Sequence, residues 1–291
     1  MPHSLPRLDL PMLGDSEWIP RPDGTRLHAR RAGSGPDVLL AHGYMGSERD
    51  WAIVQRQLVE AGFRVTNFDQ RAHGASSLGR DGLTSVAMAG DYVAVLEHFD
   101  LRDAVLVGHS MGGFLSLVFA QTHTDVVRER LRGLLLVGAH GGRVAEGSLQ
   151  NQLQIPLLQL GIMAQLIKQP QLGRLMSRTI FGDWAPDEYV EQNRLGMLEH
   201  DMQRSLPILR AQMDEDWYPN LGRITVPTIV LCGERDKTCK PWHSQRLGRD
   251  IPNARNIWLP GVGHMVTCEA PASILTHVRE LSHGASAVAA E

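Results

Sequence analysis

Short apolar runs recur along this chain and alternate with longer stretches of helical periodicity. Val38-Leu39-Leu40-Ala41, Asp103-Ala104-Val105-Leu106-Val107 and Thr228-Ile229-Val230-Leu231-Cys232 are aliphatic and β-branched. Runs of that kind, without polar alternation, fit strands buried on both faces of a sheet. Residues 25–31 alternate instead, as an antiparallel edge strand does. The pattern predicts strands over 25–31, 37–41, 63–68, 103–108, 133–138, 226–232 and 254–259. It predicts helices over about 50–61, 84–98, 111–123, 241–250 and 271–283. That order implies an α/β fold: a mostly parallel central sheet with helices on both faces. Groups that do chemistry then gather at the carboxyl ends of the strands.

The pattern changes between 143 and 218. No strand period is visible there, and residues 150–169 are rich in Leu, Ile, Met and Gln, with Pro156, Pro170 and Pro186 as breaks. We read a helical insert of about four helices, a cap or lid over the site. The core then comprises 1–142 and 219–291. Much of the insert's apolar surface is expected to pack on the core. Leu158, Ile162 and Leu166 are the candidates for an apolar substrate pocket. The insert's methionines add flexible, polarizable surface that suits a greasy chain.

Four fragments carry the candidate chemistry, each just after a predicted strand. They are Ala41-His42-Gly43-Tyr44, Gly108-His109-Ser110-Met111-Gly112, Gly233-Glu234-Arg235-Asp236 and Gly261-Val262-Gly263-His264. The second is a G-x-S-x-G sequence between a strand run and a helix run. A serine on such a turn is strained, and the two glycines let strand and helix approach closely. The following helix start supplies unpaired N–H groups and a positive dipole end. A serine hydroxyl is a poor nucleophile until a base takes its proton, and a histidine serves only when an acid fixes its tautomer. Ser110, Asp236 and His264 fit those roles in that chain order. Glu234 is the competing acid in the same loop.

With these motifs the chain resembles the α/β-hydrolase superfamily, specifically its esterase- and lipase-like serine hydrolases with a helical cap. The resemblance implies Ser110 as nucleophile, Asp236 as orienting acid and His264 as base. It also implies that the backbone N–H groups of Tyr44 and Met111 form the oxyanion hole. His42 is expected to pack beneath the site. Asn67-Phe68-Asp69-Gln70-Arg71-Ala72-His73-Gly74-Ala75-Ser76 is similar to a turn common in the superfamily, with Ala72 where a glycine is usual. Asp69 and Arg71 are read there as a structural pair. The expected activity is cleavage of a small carboxylic ester with an apolar acyl group. Three other readings remain open: a C–C bond hydrolase of a ring-cleavage diketone, a cofactor-free haloperoxidase or perhydrolase, and a non-catalytic small-molecule receptor. The C–C hydrolase needs cationic groups for a carboxylate, and Arg174, Arg178, Arg194 and Arg204 are available. Dehalogenases and epoxide hydrolases of this fold use a carboxylate where Ser110 stands.

Composition narrows the partners. The 291 residues carry a formal net charge of −3 and no basic block, so nucleic acid is not expected. No apolar stretch is long enough to span a membrane. Residues 1–7 lack the apolar core of a signal peptide. The three cysteines form no C-x-x-C, which fits a reducing, cytoplasmic compartment. The thirteen histidines show no H-E-x-x-H, so neither metal nor cofactor is expected. The sequence leaves oligomeric state open.

Overall fold

The computed structural model describes residues 10–283, so 1–7 lie outside it. Eight strands form one sheet: β1 (Asp15–Pro20), β2 (Arg26–Ala32), β3 (Asp37–Ala41), β4 (Arg64–Phe68), β5 (Ala104–His109), β6 (Leu131–Val137), β7 (Thr228–Gly233) and β8 (Ala254–Leu259). Their order is β1-β2-β4-β3-β5-β6-β7-β8. β2 runs antiparallel to β1 and β4, and every other pairing is parallel. This is the mostly parallel α/β sheet expected from the strand–helix alternation, in the α/β-hydrolase arrangement that the resemblance implied.

The helices are α1 (Ala52–Glu60), α2 (Ser85–His98), α3 (Met111–Thr122), α4 (Thr124–Arg130), α5 (Leu149–Gln159), α6 (Ile162–Lys168), α7 (Pro170–Arg178), α8 (Asp187–Leu198), α9 (Leu206–Asp214), α10 (Pro241–Asp250), α11 (Val266–Glu269) and α12 (Pro271–His283). Two 3₁₀ segments, Glu48–Trp51 and Tyr218–Arg223, complete the set. Successive strand residues point to opposite faces, and both faces are covered. Val38, Leu40, Val105 and Val107 pack with Val54 and Leu58 of α1 and with Ile274 and Val278 of α12. Leu39, Ala41 and Leu106 pack with Tyr92 of α2, Phe114 and Leu117 of α3 and Leu247 of α10. That double burial is why these strands read as continuous apolar runs. Each such Leu or Val contributes about 1.5–3 kcal/mol of burial.

The structure departs from the sequence pattern at four points. The strand over 25–31 is antiparallel but does not form the edge, because β1 pairs along its outer side. Helix α4 was not foreseen; its sequence, TDVVRER, buries only Val127. Five helices, α5 to α9, stand between β6 and β7, rather than about four. The stretch 150–169 is not one helix, because Gly161 adopts a left-handed conformation (φ 70°) between α5 and α6.

Asp69 and Arg71 do hold loops, but not by pairing with each other. The buried Arg71 guanidinium binds Asp91 at 2.6 and 2.7 Å and Asp23 at 3.1 Å. Asp69 accepts the N–H groups of Glu48 (2.8 Å) and Ala75 (2.9 Å) and lies 3.3 Å from His28. Stripping a buried charge of its partner costs about 3–5 kcal/mol, so each network fixes its turn firmly.

Candidate active site

Ser110 sits between β5 and α3 with φ 53° and ψ −115°, a conformation that costs a non-glycine residue free energy. Two hydrogen bonds hold it there. Its N–H donates to the Val137 carbonyl at 2.9 Å, and its carbonyl accepts from Phe114 at 2.9 Å. A side chain on Gly108 would meet the Gly112 carbonyl, and one on Gly112 would collide with the Ala41 carbonyl oxygen. Both glycines of the motif are therefore required by close packing.

Asp236 follows β7, and its side chain is buried. One carboxylate oxygen accepts the N–H groups of Thr238 and Cys239, each at 2.8 Å. The other accepts from His264 Nδ1 at 2.8 Å. That bond places the imidazole proton on Nδ1 and leaves Nε2 free as a base. Glu234, the competing acid, is exposed and makes no side-chain hydrogen bond among the described residues. The empty space at Gly138 also matters, since a Cβ there would lie 3.3 Å from both Asp236 Oδ2 and His264 Nδ1.

The structure brings Ser110 next to this pair. His109, its neighbour, donates from Nε2 to the His264 carbonyl at 2.9 Å, with ring centroids 4.8 Å apart. Burial pulls the His109 pKa down to about 3, so no positive charge sits beside His264. No hydrogen bond joins Ser110 Oγ to His264 among the described residues. Catalytic pairs commonly tighten only when substrate arrives. Burial pushes the Cys239 thiol well above its usual value, which keeps it unreactive.

The loop after β3 faces Ser110 from the other side, and a Cβ on Gly43 would lie 3.3 Å from Ser110 Cβ. Among the described residues, the N–H groups of Tyr44 and Met111 have no acceptor. His42 packs below, as expected: Nδ1 donates to the Gly43 carbonyl at 2.8 Å and Nε2 accepts the Gln70 N–H at 3.0 Å. Burial lowers its pKa to about 4 and keeps it neutral. The Tyr44 hydroxyl reaches Ser205 Oγ at 2.8 Å, which ties this loop to the segment before α9.

The three pocket candidates separate. Leu158 is buried with Ile167, Met202 and Leu209, against Tyr44 and Met163. Ile162 is 41% exposed, and Leu166 is half-buried outside that cluster. The left-handed turn at Gly161 is the reason, because residues four apart share a face only along an unbroken helix. Three of the four candidate arginines are engaged elsewhere. Arg174 and Arg194 both bind Glu191, Arg178 donates to the Gly182 and Asp183 carbonyls, and Arg204 is exposed.

Sequence reasoning missed His109, Glu269 and His140. His140 is buried after β6, where Nδ1 accepts the Gly142 N–H at 3.1 Å and Nε2 donates to Gln212 of α9 at 3.3 Å. The position of His109 inside the G-x-S-x-G motif was the one available signal. Among the described residues, no group of three or more His, Cys, Asp or Glu side chains could hold a metal ion. No helix there is long and apolar enough to cross a membrane.

Known proteins share this arrangement of chain. A non-heme haloperoxidase from Rhodococcus erythropolis is 27% identical over 269 residues, covering 85% of this chain and 92% of the relative. An esterase from Exiguobacterium antarcticum superposes with a TM-score of 0.78 at 21% identity, covering 92% of this chain and all of the other. A bromoperoxidase from Bacillus anthracis superposes with a TM-score of 0.78 at 22% identity, covering 92% and 98%. A profile of the alpha/beta hydrolase family matches residues 38–274, and the chain belongs to that family.

Proposed function

We propose that this protein is a serine hydrolase that cleaves a carboxylic ester with an apolar acyl group through an acyl-enzyme. The observation that carries the reading is the 2.8 Å Asp236–His264 bond beside the strained Ser110 turn. Ser110 Oγ attacks the ester carbonyl as His264 Nε2 takes its proton. The oxyanion receives the N–H groups of Tyr44 and Met111, donors worth about 3–4 kcal/mol each in comparable sites. The alcohol leaves with the proton from His264. Water then attacks the acyl-enzyme with His264 as base, releasing the carboxylic acid and restoring Ser110.

Residues 143–218 act in this reading as the cap. Their buried apolar group, Leu158, Ile167, Met202 and Leu209, meets the loop that carries Tyr44. That contact supports an apolar acyl chain. Arg174, Arg178 and Arg194 are engaged within the insert, so of the four candidate arginines only the exposed Arg204 is left for the carboxylate of a ring-cleavage diketone. The three buried free thiols support a reducing compartment such as the cytoplasm.

A second reading rests on the haloperoxidase relative. An acyl-enzyme that accepts hydrogen peroxide in place of water releases a peroxy acid, and a peroxy acid can oxidise bromide. The test is a panel of p-nitrophenyl esters from two to eight acyl carbons, run beside Ser110→Ala. Bromination with peroxide and a carboxylic acid is measured in parallel. Ester cleavage that rises with chain length and vanishes in Ser110→Ala supports the first reading. Bromination without ester cleavage replaces it with the second. A flat or falling profile removes the apolar acyl group.

A further inference from the structure

The loop that carries His264 is held by a second carboxylate that the mechanism above does not use. Glu269 closes α11, five residues after His264. Its oxygens accept the N–H groups of Gly263 (3.1 and 3.2 Å), Met265 (3.1 Å) and Gly182 (2.7 Å). Gly263 and Met265 flank His264 on either side. Gly182 lies in the strap between α7 and α8.

The same strap meets the base directly. The His264 N–H donates to the Ile180 carbonyl at 2.7 Å, and the Asp183 N–H donates to the Gly261 carbonyl at 2.8 Å. A Cβ on Gly182 would collide with the Gly261 carbonyl, and one on Gly263 would collide with the Gly182 nitrogen. Strap and base loop therefore stack backbone on backbone, with the Glu269 carboxylate bonded to both.

We propose that Glu269 is a positioning residue for His264: it fixes the backbone on both sides of the imidazole, places a second negative charge behind the base, and couples the helical insert to the catalytic histidine. The inference rests on the serine-hydrolase reading. Charge-assisted bonds to backbone N–H groups are short and directional, so one carboxylate accepting from three residues resists drift of the loop. A negative charge near the base also stabilises the imidazolium formed when Ser110 gives up its proton. Burial pushes the Glu269 carboxyl up from its ordinary value, while the three N–H bonds and the His264 charge pull it down.

Other titratable groups pack around α11. They are the Cys268 thiol, the Asp50 carboxyl from the 48–51 turn and the Tyr189 phenol from α8. Burial raises the thiol well above its usual value, and Tyr189 to about 12. Asp50 is pushed up to about 7 by burial, within the range where a histidine base titrates. Rate profiles are therefore recorded in an Asp50→Asn background.

The test is Glu269→Gln, which keeps the shape, removes the charge and turns an NH₂ group toward backbone donors. Thermal melting checks folding, and a fluorophosphonate counts functional Ser110 sites. The variant is expected to take one phosphonate per chain with kcat/KM about 10- to 100-fold lower. The acid limb of its rate profile is expected to move down by about half a pH unit, because the imidazolium has lost a counter-charge. A residue that only stabilised the fold would lower melting temperature and site count without moving that limb. If Glu269→Gln does not fold, Glu269→Asp keeps the charge but is too short to reach all three N–H groups. It is then expected to lose rate while holding the wild-type acid limb. Unchanged kcat/KM in whichever variant folds, or a shifted limb in Glu269→Asp, overturns the proposal. A wild-type protein that takes no phosphonate on Ser110 overturns the hydrolase reading instead, so the two failures are distinct.

Discussion

Asp236→Asn separates the proposed acid from its neighbour, and the structure fixes the outcome. One carboxylate oxygen is claimed by two backbone donors, Thr238 and Cys239, and the other faces His264 Nδ1. An asparagine must place its carbonyl where the two N–H groups point. The reverse rotamer would aim NH₂ at both and leave two buried donors unpaired, at about 1–3 kcal/mol each. A cost of about 2–6 kcal/mol biases the side chain by roughly 10^1.5 to 10^4.4 toward the first arrangement. Its NH₂ then faces His264, so Nδ1 must accept and Nε2 must carry the proton. In that tautomer His264 takes no proton from Ser110. The same change in a serine protease costs about 10⁴ in turnover, and a loss of that order is expected here. Glu234→Gln changes an exposed side chain and should stay within about twofold of wild type. The assay is kcat/KM on a short p-nitrophenyl ester, with circular dichroism to confirm folding. An Asp236→Asn enzyme with more than a tenth of wild-type activity would refute the argument, as would a greater loss in Glu234→Gln.

Leu158→Phe should shorten the preferred acyl chain, because Leu158 is buried against the cluster that reaches Tyr44, whereas Ile162→Phe should not. Each methylene that fits contributes about 0.8 kcal/mol, and equal effects of the two substitutions on the ester profile would contradict the pocket assignment. Asp50 titrates near 7 in the fold against an ordinary value of 3.8, because burial disfavours its charge. Its cost is absent below about pH 4 and complete above about pH 7. Asp50→Asn should therefore raise the melting temperature more at pH 8 than at pH 4, and equal shifts would contradict the burial argument. Gly112→Ala drives a methyl group into the Ala41 carbonyl and should cost about 1–3 kcal/mol in urea unfolding; a loss well below about 1 kcal/mol would show that strand and helix can part.

The buried strands were legible because double burial writes itself as local composition. β1 was not, since five of its six positions are exposed and only Ile19 turns inward. The insert was legible as helical, but its phase was not. A single left-handed glycine at 161 moves Ile162 into solvent while Leu158 stays inside. The placement of the candidate groups was legible for a related reason: they sit on short loops directly after strands, so sequence order fixes their edge of the sheet. What failed were partners set by tertiary approach. Arg71 meets Asp91 and Asp23, 20 and 48 residues away, rather than Asp69 beside it. Glu269 meets Gly182 across 87 residues, and nothing in its local sequence announces that bond.

The central claim is that Ser110 is a nucleophile activated by His264 and Asp236. Its most direct measurement is peptide-level mass spectrometry after treatment with a fluorophosphonate, on wild type, His264→Ala and Ser110→Ala. A serine in such a triad loses on the order of 10⁶ in turnover when its hydroxyl is removed, so labelling should follow the triad with equal sharpness. The expected result is one adduct per chain on Ser110 in the wild type, labelling slowed by at least about 10³-fold in His264→Ala, and none in Ser110→Ala. An adduct on another residue, or labelling of Ser110 at an undiminished rate without His264, would contradict it.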